Sequence, residues 1–451
     1  MTTPVPTGPI VIRRATVLTQ DEDLGTVHGD VLIEDGKISA VGPDLAAEGA
    51  TELLASGKII LPGFVDTHRH TWQGAIRQIG VGWDFPTYRR HIQNTWGPAF
   101  TPDDVYIGNL VGAYSALDAG ITTLRDESHI QNSPQHTDKA VAALKDSGIR
   151  AIFAYGWPSI DSDKWMLRGE ATHPEDIRRV RSELLSDDDA LVTLAAMLRG
   201  PELATPQVTA ADVALARELG IRMSMHVGNG PWGPMFRGIG TLADLGLLGE
   251  DMLFIHCCTS DDDELKALAD AGAHASVSAA IEAVLPGLGA PATGRLMNHG
   301  IRPSLSIDTE ASVAGDMFNV MRAAIAAHGL GVTLQPDVYE QLPSATPTDL
   351  LEFATIRGAE ACGLGHRIGS ITPGKDADLI IMDLEAPNLV PANDIAGSVV
   401  GAGHAGNVET VMVAGRIVKH QSRLVDVSLS EVRARAESSR DRLFKQPVAD
   451  S

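Results

Sequence analysis

LPGFVDTHRHTWQG, residues 61–74, begins as an apolar run from Leu61 to Val65 that reads as a buried β-strand. It then sets Asp66, His68 and His70 on one alternation. In extended chain, alternate side chains share a face, so His68 and His70 can reach one point while Arg69 between them turns away. Two imidazoles at the end of a core strand are what a divalent ion such as Zn²⁺ uses.

Downstream of Leu61, short apolar strands alternate with amphipathic helices, the pattern of a parallel sheet built from βα units. Thr101-Pro102-Asp103-Asp104 predicts a capped helix to about Ala119, stopped by Gly120, and ITTLRD supplies strand two. DKAVAALKDSG is a helix closing on Gly148, followed by RAIFAYG as strand three. A helix over 174–185 leads to LVTLAAML as strand four, and Thr209 is expected to cap the helix before RMSMHVG, strand five. A short helix at 242–247 precedes DMLFIHCC, DDDELKALADAG precedes HASVSA, and ATGRLMNHG precedes IRPSLSIDT. Eight such units over roughly 250 residues have the size of a (β/α)8 TIM barrel. A further helix is expected over 348–362.

Both chain ends are β-rich. Ile10 to Leu18, Gly29 to Glu34 and Lys37 to Val41 read as strands, with Asp35-Gly36 as a hairpin turn, and GSITPGKDADLIIMDL and VETVMVAGRIVKH return to strand character near the other end. The expected architecture is an α/β barrel over 61–365 inserted into a small β-sandwich made from 1–60 and 366–451, with a charged, exposed helix from Ser430.

The 451 residues carry a net charge of −22 and no basic block, which argues against nucleic acid or an anionic membrane surface as a partner. No apolar stretch approaches the ~20 residues of a membrane span, and the amino terminus lacks a signal-peptide pattern. Three cysteines, Cys257, Cys258 and Cys362, imply no disulfide framework, so a cytoplasmic setting is expected.

Active sites of barrels lie at the carboxyl ends of the strands. His68 and His70 follow strand one, His226 lies in MSMHV, His256 in LFIHCC and Asp308 in LSIDTE. Strands of a closed barrel converge, so four imidazoles and one carboxylate at matching ends form a ligand set for a divalent ion. A single buried histidine is usually a satisfied core residue, and His91, His136, His173 and His328 carry no stronger claim; His129 and His299 could equally be surface residues. Cys257 and Cys258 read as small core residues. Trp72, Gln73, Trp83 and Trp157 follow strands one and three and could wall an apolar or aromatic ligand, with loop packing as the ordinary alternative.

With these motifs in place, the chain resembles the amidohydrolase superfamily, in its deaminase and triazine-hydrolase branch. PGFVDTHRH is similar to the family's strand-one metal motif, preceded by IEDGKISAVG. GLGAPATGRLMNHG, GSITPGKDADLIIMDL and VMVAGRIV are similar to later family segments. The resemblance implies a metal-dependent hydrolase acting on carbon–nitrogen bonds other than peptide bonds, and commonly a homo-oligomer. It implies that His68, His70, His226 and Asp308 hold one divalent ion (Zn first, with Fe, Mn or Co as alternatives) while His256 hydrogen-bonds the substrate or the attacking water. Such an ion lowers the pKa of bound water to near neutrality. Asp308 can then take a proton from that water and pass it to the leaving group, and His256 can polarise the reacting carbon's substituent.

Two departures from the family pattern shape the expected chemistry. Strand four has no lysine, so a carbamate-bridged pair of metals is not expected. Where deaminase relatives carry a glutamate three residues after the strand-five histidine, this chain has Asn229, which cannot donate a proton as an acid does. Glu282, after strand seven, is the candidate substitute acid, with a solvated loop carboxylate as its ordinary reading; Glu127 and Glu310 are weaker candidates. The leading reading is hydrolysis of a C–N bond, or a comparable C–Cl or C–S bond, in a small cyclic or amide-like molecule. Deamination of a purine-, pyrimidine- or triazine-type heterocycle is the alternative, and a catalytically silent barrel serving as a binding subunit is the alternative of another class. Chelator is expected to remove turnover, and added Zn²⁺, Fe²⁺, Mn²⁺ or Co²⁺ to restore it in a steady-state assay.

Overall fold

Gly63 is the joint between two sheets. In the computed structural model, which describes residues 5–166 and 168–448, Lys58–Pro62 pairs antiparallel with Leu379–Asp383, and the first barrel strand is Phe64–Arg69. The run expected as one strand from Leu61 to Val65 is therefore two, and the boundary drawn at residue 61 falls inside a strand of the terminal sheet. The Gly63 N–H donates to the Asp378 carbonyl at 3.0 Å. A Cβ at position 63 would lie 2.1 Å from Thr122 Oγ1, so only glycine lets the chain pass so close to strand two. The first four residues of the segment read for a signal peptide lie outside the described residues.

Strands two to eight of the barrel are Ile121–Ser128, Arg150–Tyr155, Val192–Leu198, Met223–Val227, Met252–His256, His274–Val277 and Ser304–Leu305. All neighbours are parallel and follow sequence order. Strand eight contributes only two ladder residues, so closure onto strand one is completed beyond it. Asp308 N–H donates to the His68 carbonyl at 2.9 Å, and His70 N–H donates to the Asp308 carbonyl at 2.7 Å.

The helices follow from local signals with three corrections. Pro102–Asp118 starts at a Thr101/Asp104 capping box, and Pro134–Ser147 ends on left-handed Gly148 at φ +74°. The helix before strand five begins earlier than expected: Thr205, not Thr209, caps Pro206–Glu218, because Pro206 is pre-set for the first helical turn. The short helix expected at 242–247 is Gly238–Asp244. The single helix expected over 348–362 breaks at Thr355 into Pro347–Phe353 and Ile356–Ala361.

One further helix, Met317–Leu334, was not anticipated. It is 18 residues long with mean hydropathy 1.2, so it alone among the described helices has the length and apolarity to cross a membrane. Met317, Phe318, Val320, Met321 and Ala324 on one face pack into the main core.

The two chain ends form one nine-stranded mixed sheet, ordered so that Lys58–Pro62 lies between the amino-terminal strands and the carboxyl-terminal ones. Its two ends meet, because the Gly36 turn touches the Ala414–Gly415 turn and Gly36 carbonyl accepts from Ala377 N–H at 2.9 Å. One face closes over Ile10, Ile12, Val31, Ile60, Leu379 and Met412, while Ile59, Leu61, Ile380 and Val411 join the barrel core. The carboxyl-terminal helix, Leu429–Leu443, is mostly exposed but anchored, since Ser439 and Arg442 both bind the Asp104 carboxylate.

Arg150, on barrel strand three, ties the two parts together. Its Nε and Nη2 donate to both Asp378 oxygens at 2.9 Å, and Nη2 reaches Asp376 at 3.0 Å, with the side chain almost fully buried. Removing it leaves buried Asp378 without a cation, while Asp376 keeps Lys37 and Arg367. Arg150→Ala is expected to lower unfolding free energy by about 3–5 kcal/mol, read as a drop in the urea midpoint.

Candidate metal centre

The strand ends bring His68, His70, His226, His256 and Asp308 together. Ring centroids of His68 lie 4.8 Å from His70, 4.7 Å from His226 and 5.7 Å from His256. Asp308 Oδ1 stands 3.4 Å from His68 Nε2 and 3.5 Å from His70 Nε2, and Oδ2 stands 3.6 Å from His256 Nε2. Donors about 2.1 Å from a common ion stand roughly 3–4 Å from one another, so these spacings suit a shared cation. Three triads have donor atoms within 4.8 Å of one another: His68, His70 and His226; His68, His256 and Asp308; and, to one side, His256, Cys258 and Glu282. Both ring nitrogens of fully buried His68 lack any hydrogen-bond partner, the state expected of a ligand without its ion.

The surrounding groups fix each ring. His70 Nδ1 lies 2.8 Å from the Glu127 carbonyl; a carbonyl only accepts, so Nδ1 donates and Nε2 is left to ligate. Burial, followed by the nearby His68, pushes the His70 pKa down to about 4, which keeps the imidazole neutral. His226 is pushed down likewise by burial and its imidazole neighbours. Burial raises Asp308, but His68, His70 and His256 outweigh it and hold the carboxyl below its usual range. His256 and Asp308 adopt left-handed backbone at φ +75° and +67°, unusual for residues with side chains and common at functional turns.

Glu282 does not face the cavity in the role of a substitute acid. Its Oε1 lies 2.9 Å from His256 Nδ1 and accepts from Ser278 N–H at 2.8 Å. Burial lowers the His256 pKa, but the Glu282 hydrogen bond and the Asp308 charge outweigh it and raise it, which favours the protonated ring with Nε2 toward Asp308. Glu127 is held by Arg125 at 2.7 Å and Ser224 at 2.6 Å, and Glu310 by Arg69 at 2.9 Å and Ser115 at 2.7 Å. Neither lines the cavity. Asp66 likewise turns into the strand seam, where it pairs with Arg69 at 3.1 Å and accepts from Ile307 N–H at 3.0 Å. Burial pushes the Cys257 and Cys258 thiols up, away from the thiolate a metal needs.

Above the cluster is a cavity of about 80 Å³ open at its mouth. Of the residues expected to contact substrate, Trp157 and Asn229 line it. Trp72, Gln73 and Trp83 do not. Trp72 is fully buried against Phe100, Gln73 donates to Tyr88 Oη at 2.7 Å and accepts from Thr309 at 2.5 Å, and Trp83 stacks on His91 at 4.6 Å. They support the wall from behind.

Several lining residues escaped the sequence reading. His129, which could equally have been a surface residue, is buried beyond the end of strand two and stacks on His70 at 4.3 Å, both its nitrogens unpartnered. The strand-end rule that selected the ligands would have selected it. Phe85, Tyr88, Arg89, Gln93 and Asn94 come from a capping segment, a turn Phe85–Tyr88 running into the wide turn Arg89–Trp96. Phe85 N–H ties that segment to the Pro286 carbonyl at 2.9 Å, and Trp232 and Leu288 complete the far wall. Glu202, just after strand four, is buried and accepts from Gly228 N–H at 2.5 Å, holding the loop that carries Asn229. Burial pushes its pKa up to about 7.

Comparison with known proteins follows the same lines. The model of the amidohydrolase family matches residues 59–418. A 5'-deoxyadenosine deaminase of Methanosarcina mazei is 27% identical over 96% of this chain and 98% of its own length. A 5-methylthioadenosine/S-adenosylhomocysteine deaminase of Symbiobacterium thermophilum is 29% identical over 97% of this chain and 99% of its own. Among solved structures, an adenosine deaminase from Xanthomonas campestris with bound zinc superposes with a TM-score of 0.82 at 22% identity, covering 98% of this chain and 100% of that one. An atrazine chlorohydrolase from Arthrobacter aurescens complexed with zinc gives 0.82 at 21% identity, covering 95% and 99%. The two structures share the fold.

Because Glu282 orients His256, Glu282→Gln is expected to lower turnover roughly 10–100-fold while metal content by emission spectroscopy stays unchanged.

Proposed function

The chain belongs to the amidohydrolase family, as a hydrolase of carbon–nitrogen bonds in small molecules, and we propose that it acts on a planar heterocycle at one divalent ion held by His68, His70, His226 and Asp308. The observation that carries this is the convergence of those donors, with both ring nitrogens of His68 unpartnered, beneath an aromatic-walled cavity. When bound, such an ion supplies a water acidified to near neutrality. Three imidazoles and one carboxylate suit zinc, with iron, manganese or cobalt as the alternatives.

Asp308 takes the proton of the attacking water and delivers it to the departing atom, its carboxylate being ionised and within reach of His68, His70 and His256. His256, fixed through Glu282 and shifted by it toward the protonated form, presents Nε2 where negative charge develops on the substrate. Trp157, Trp232, Phe85 and Tyr88 supply flat apolar surface for a ring and exclude water around it.

The deaminase alternative draws support from the names of the relatives. Against it, position 229 holds an amide where deamination in that branch uses an acid, and among the described residues Asp308 is the only carboxylate lining the cavity. A leaving group that Asp308 alone can protonate fits this cavity best. The cytoplasmic setting is part of the same reading, supported by three buried free cysteines, and so is assembly of identical chains, which light scattering on the purified protein reads directly.

Asp308→Asn is expected to lower kcat by about 10²–10⁴-fold with the protein still folded by circular dichroism. Full turnover in that variant overturns the water-activation role. Across a panel of aminated, alkylaminated and chlorinated heterocycles, product mass is expected to show oxygen replacing the leaving group, and stoichiometric ammonia decides for the deaminase alternative.

A further inference from the structure

The cavity lining holds one permanent cation, Arg89, and among the described residues no carboxylate lies within 4.0 Å of that guanidinium. Its Nε is buried with no hydrogen-bond partner. The charge is held in place by stacking, since the guanidinium carbon sits 5.4 Å from the centroid of Trp232 across the cavity mouth. Burial alone displaces its pKa, downward, which agrees with the lack of an acidic neighbour. The chain otherwise matches its buried arginines with carboxylates: Arg69 with Asp66 and Glu310, Arg125 with Glu127, Arg150 with Asp376 and Asp378, Arg199 with Asp212. Half-buried Arg90, Arg222 and Arg322 also lack a carboxylate among the described residues, but none of them lines the cavity, so in a protein of net charge −22 Arg89 is set apart by its unpaired charge together with its place in the cavity wall.

We propose that Arg89 is a specificity-determining residue that binds a carboxylate carried by the heterocyclic substrate. The inference rests on the reading of this cavity as the substrate site. A guanidinium presents a planar fork that matches a carboxylate bidentately, and its pairing with an anion answers the partial loss of hydration that Phe85 and Trp232 impose. Gln93 and Asn94, on the same wide turn, add neutral amide donors beside it. The lining offers the hydroxyls of a neutral sugar no carboxylate apart from Asp308, which the reaction uses. The ring then lies against Trp157 and Trp232 with its acidic substituent toward Arg89 and its reacting carbon toward Asp308.

The test is equilibrium binding to the metal-loaded enzyme, by calorimetry and saturation-transfer NMR. The probes are matched pairs of six-membered nitrogen heterocycles, pyridine-3-carboxylate against pyridine-3-carboxamide and pyrimidine-5-carboxylate against pyrimidine-5-carboxamide. The carboxylates are expected to bind at least about tenfold more tightly. Arg89→Gln removes the preference and Arg89→Lys keeps part of it, although both retain any contact the anion makes with the metal. Equal or tighter binding of the carboxamides, a preference that survives Arg89→Gln, or no carboxylate bound at all each overturns the proposal. The wild-type preference decides by itself should either variant fail to fold. Because no turnover is read, a chain without hydrolase activity would still show the preference, so failure here and failure of the hydrolase reading are told apart.

Discussion

The seam between the first and last barrel strands is the constraint on which the rest depends. Strand eight supplies only two ladder residues, so the barrel is closed by the backbone of Asp308, which exchanges hydrogen bonds with His68 and His70, and by the Asp66 carboxylate on Ile307 N–H. Three of the proposed ligands are thus the residues that close the sheet. Folding the barrel and assembling the centre are one event, and the left-handed backbone at Asp308, costing of order 1–3 kcal/mol, persists because the seam over-determines it.

Beneath the centre, the barrel interior departs from the bulky branched filling common to this architecture. Thr67 Oγ1 lies 2.7 Å from Ser276 and 2.8 Å from Ser304, and Ser306 lies 2.7 Å from Ser276 and 2.8 Å from Ser278. Short hydroxyl side chains let strands one, seven and eight approach closely, and each buried hydroxyl finds a partner. Next to this layer Arg125, Glu127 and Ser224 form a second network. These buried polar groups are spent on structure. Asp66, Glu127, Glu282 and Glu310 all have fixed partners, and that leaves Asp308 as the carboxylate facing the cavity.

Much of this was legible because it is encoded locally. Apolar runs of four to eight residues, capping residues and terminal glycines mark the βα units, and polar residues immediately after those runs mark the catalytic end. The ligand set followed from a single rule about strand ends. That rule extends to His129, which lies just after strand two and was left out of the strand-end set. Trp72 and Trp83 erred in the opposite direction: aromatic character and proximity to the mouth do not say which way an indole turns, and Gly74, Gly108 and Gly112 let the segment after strand one pack hard against the following helix.

The local pattern of the chain determined the barrel, the β-rich termini that join beside it, and the residue types of the candidate donors at matching strand ends. Only the tertiary structure decided that Leu61 and Phe64 belong to different sheets, that Glu282 serves His256 instead of the cavity, and that Arg89 faces the ligand space without a counter-charge. The physical reason is range. Strand and cap signals act over a few residues, whereas a carboxylate's role depends on which distant cation, hydroxyl or backbone N–H reaches it first once the chain has closed.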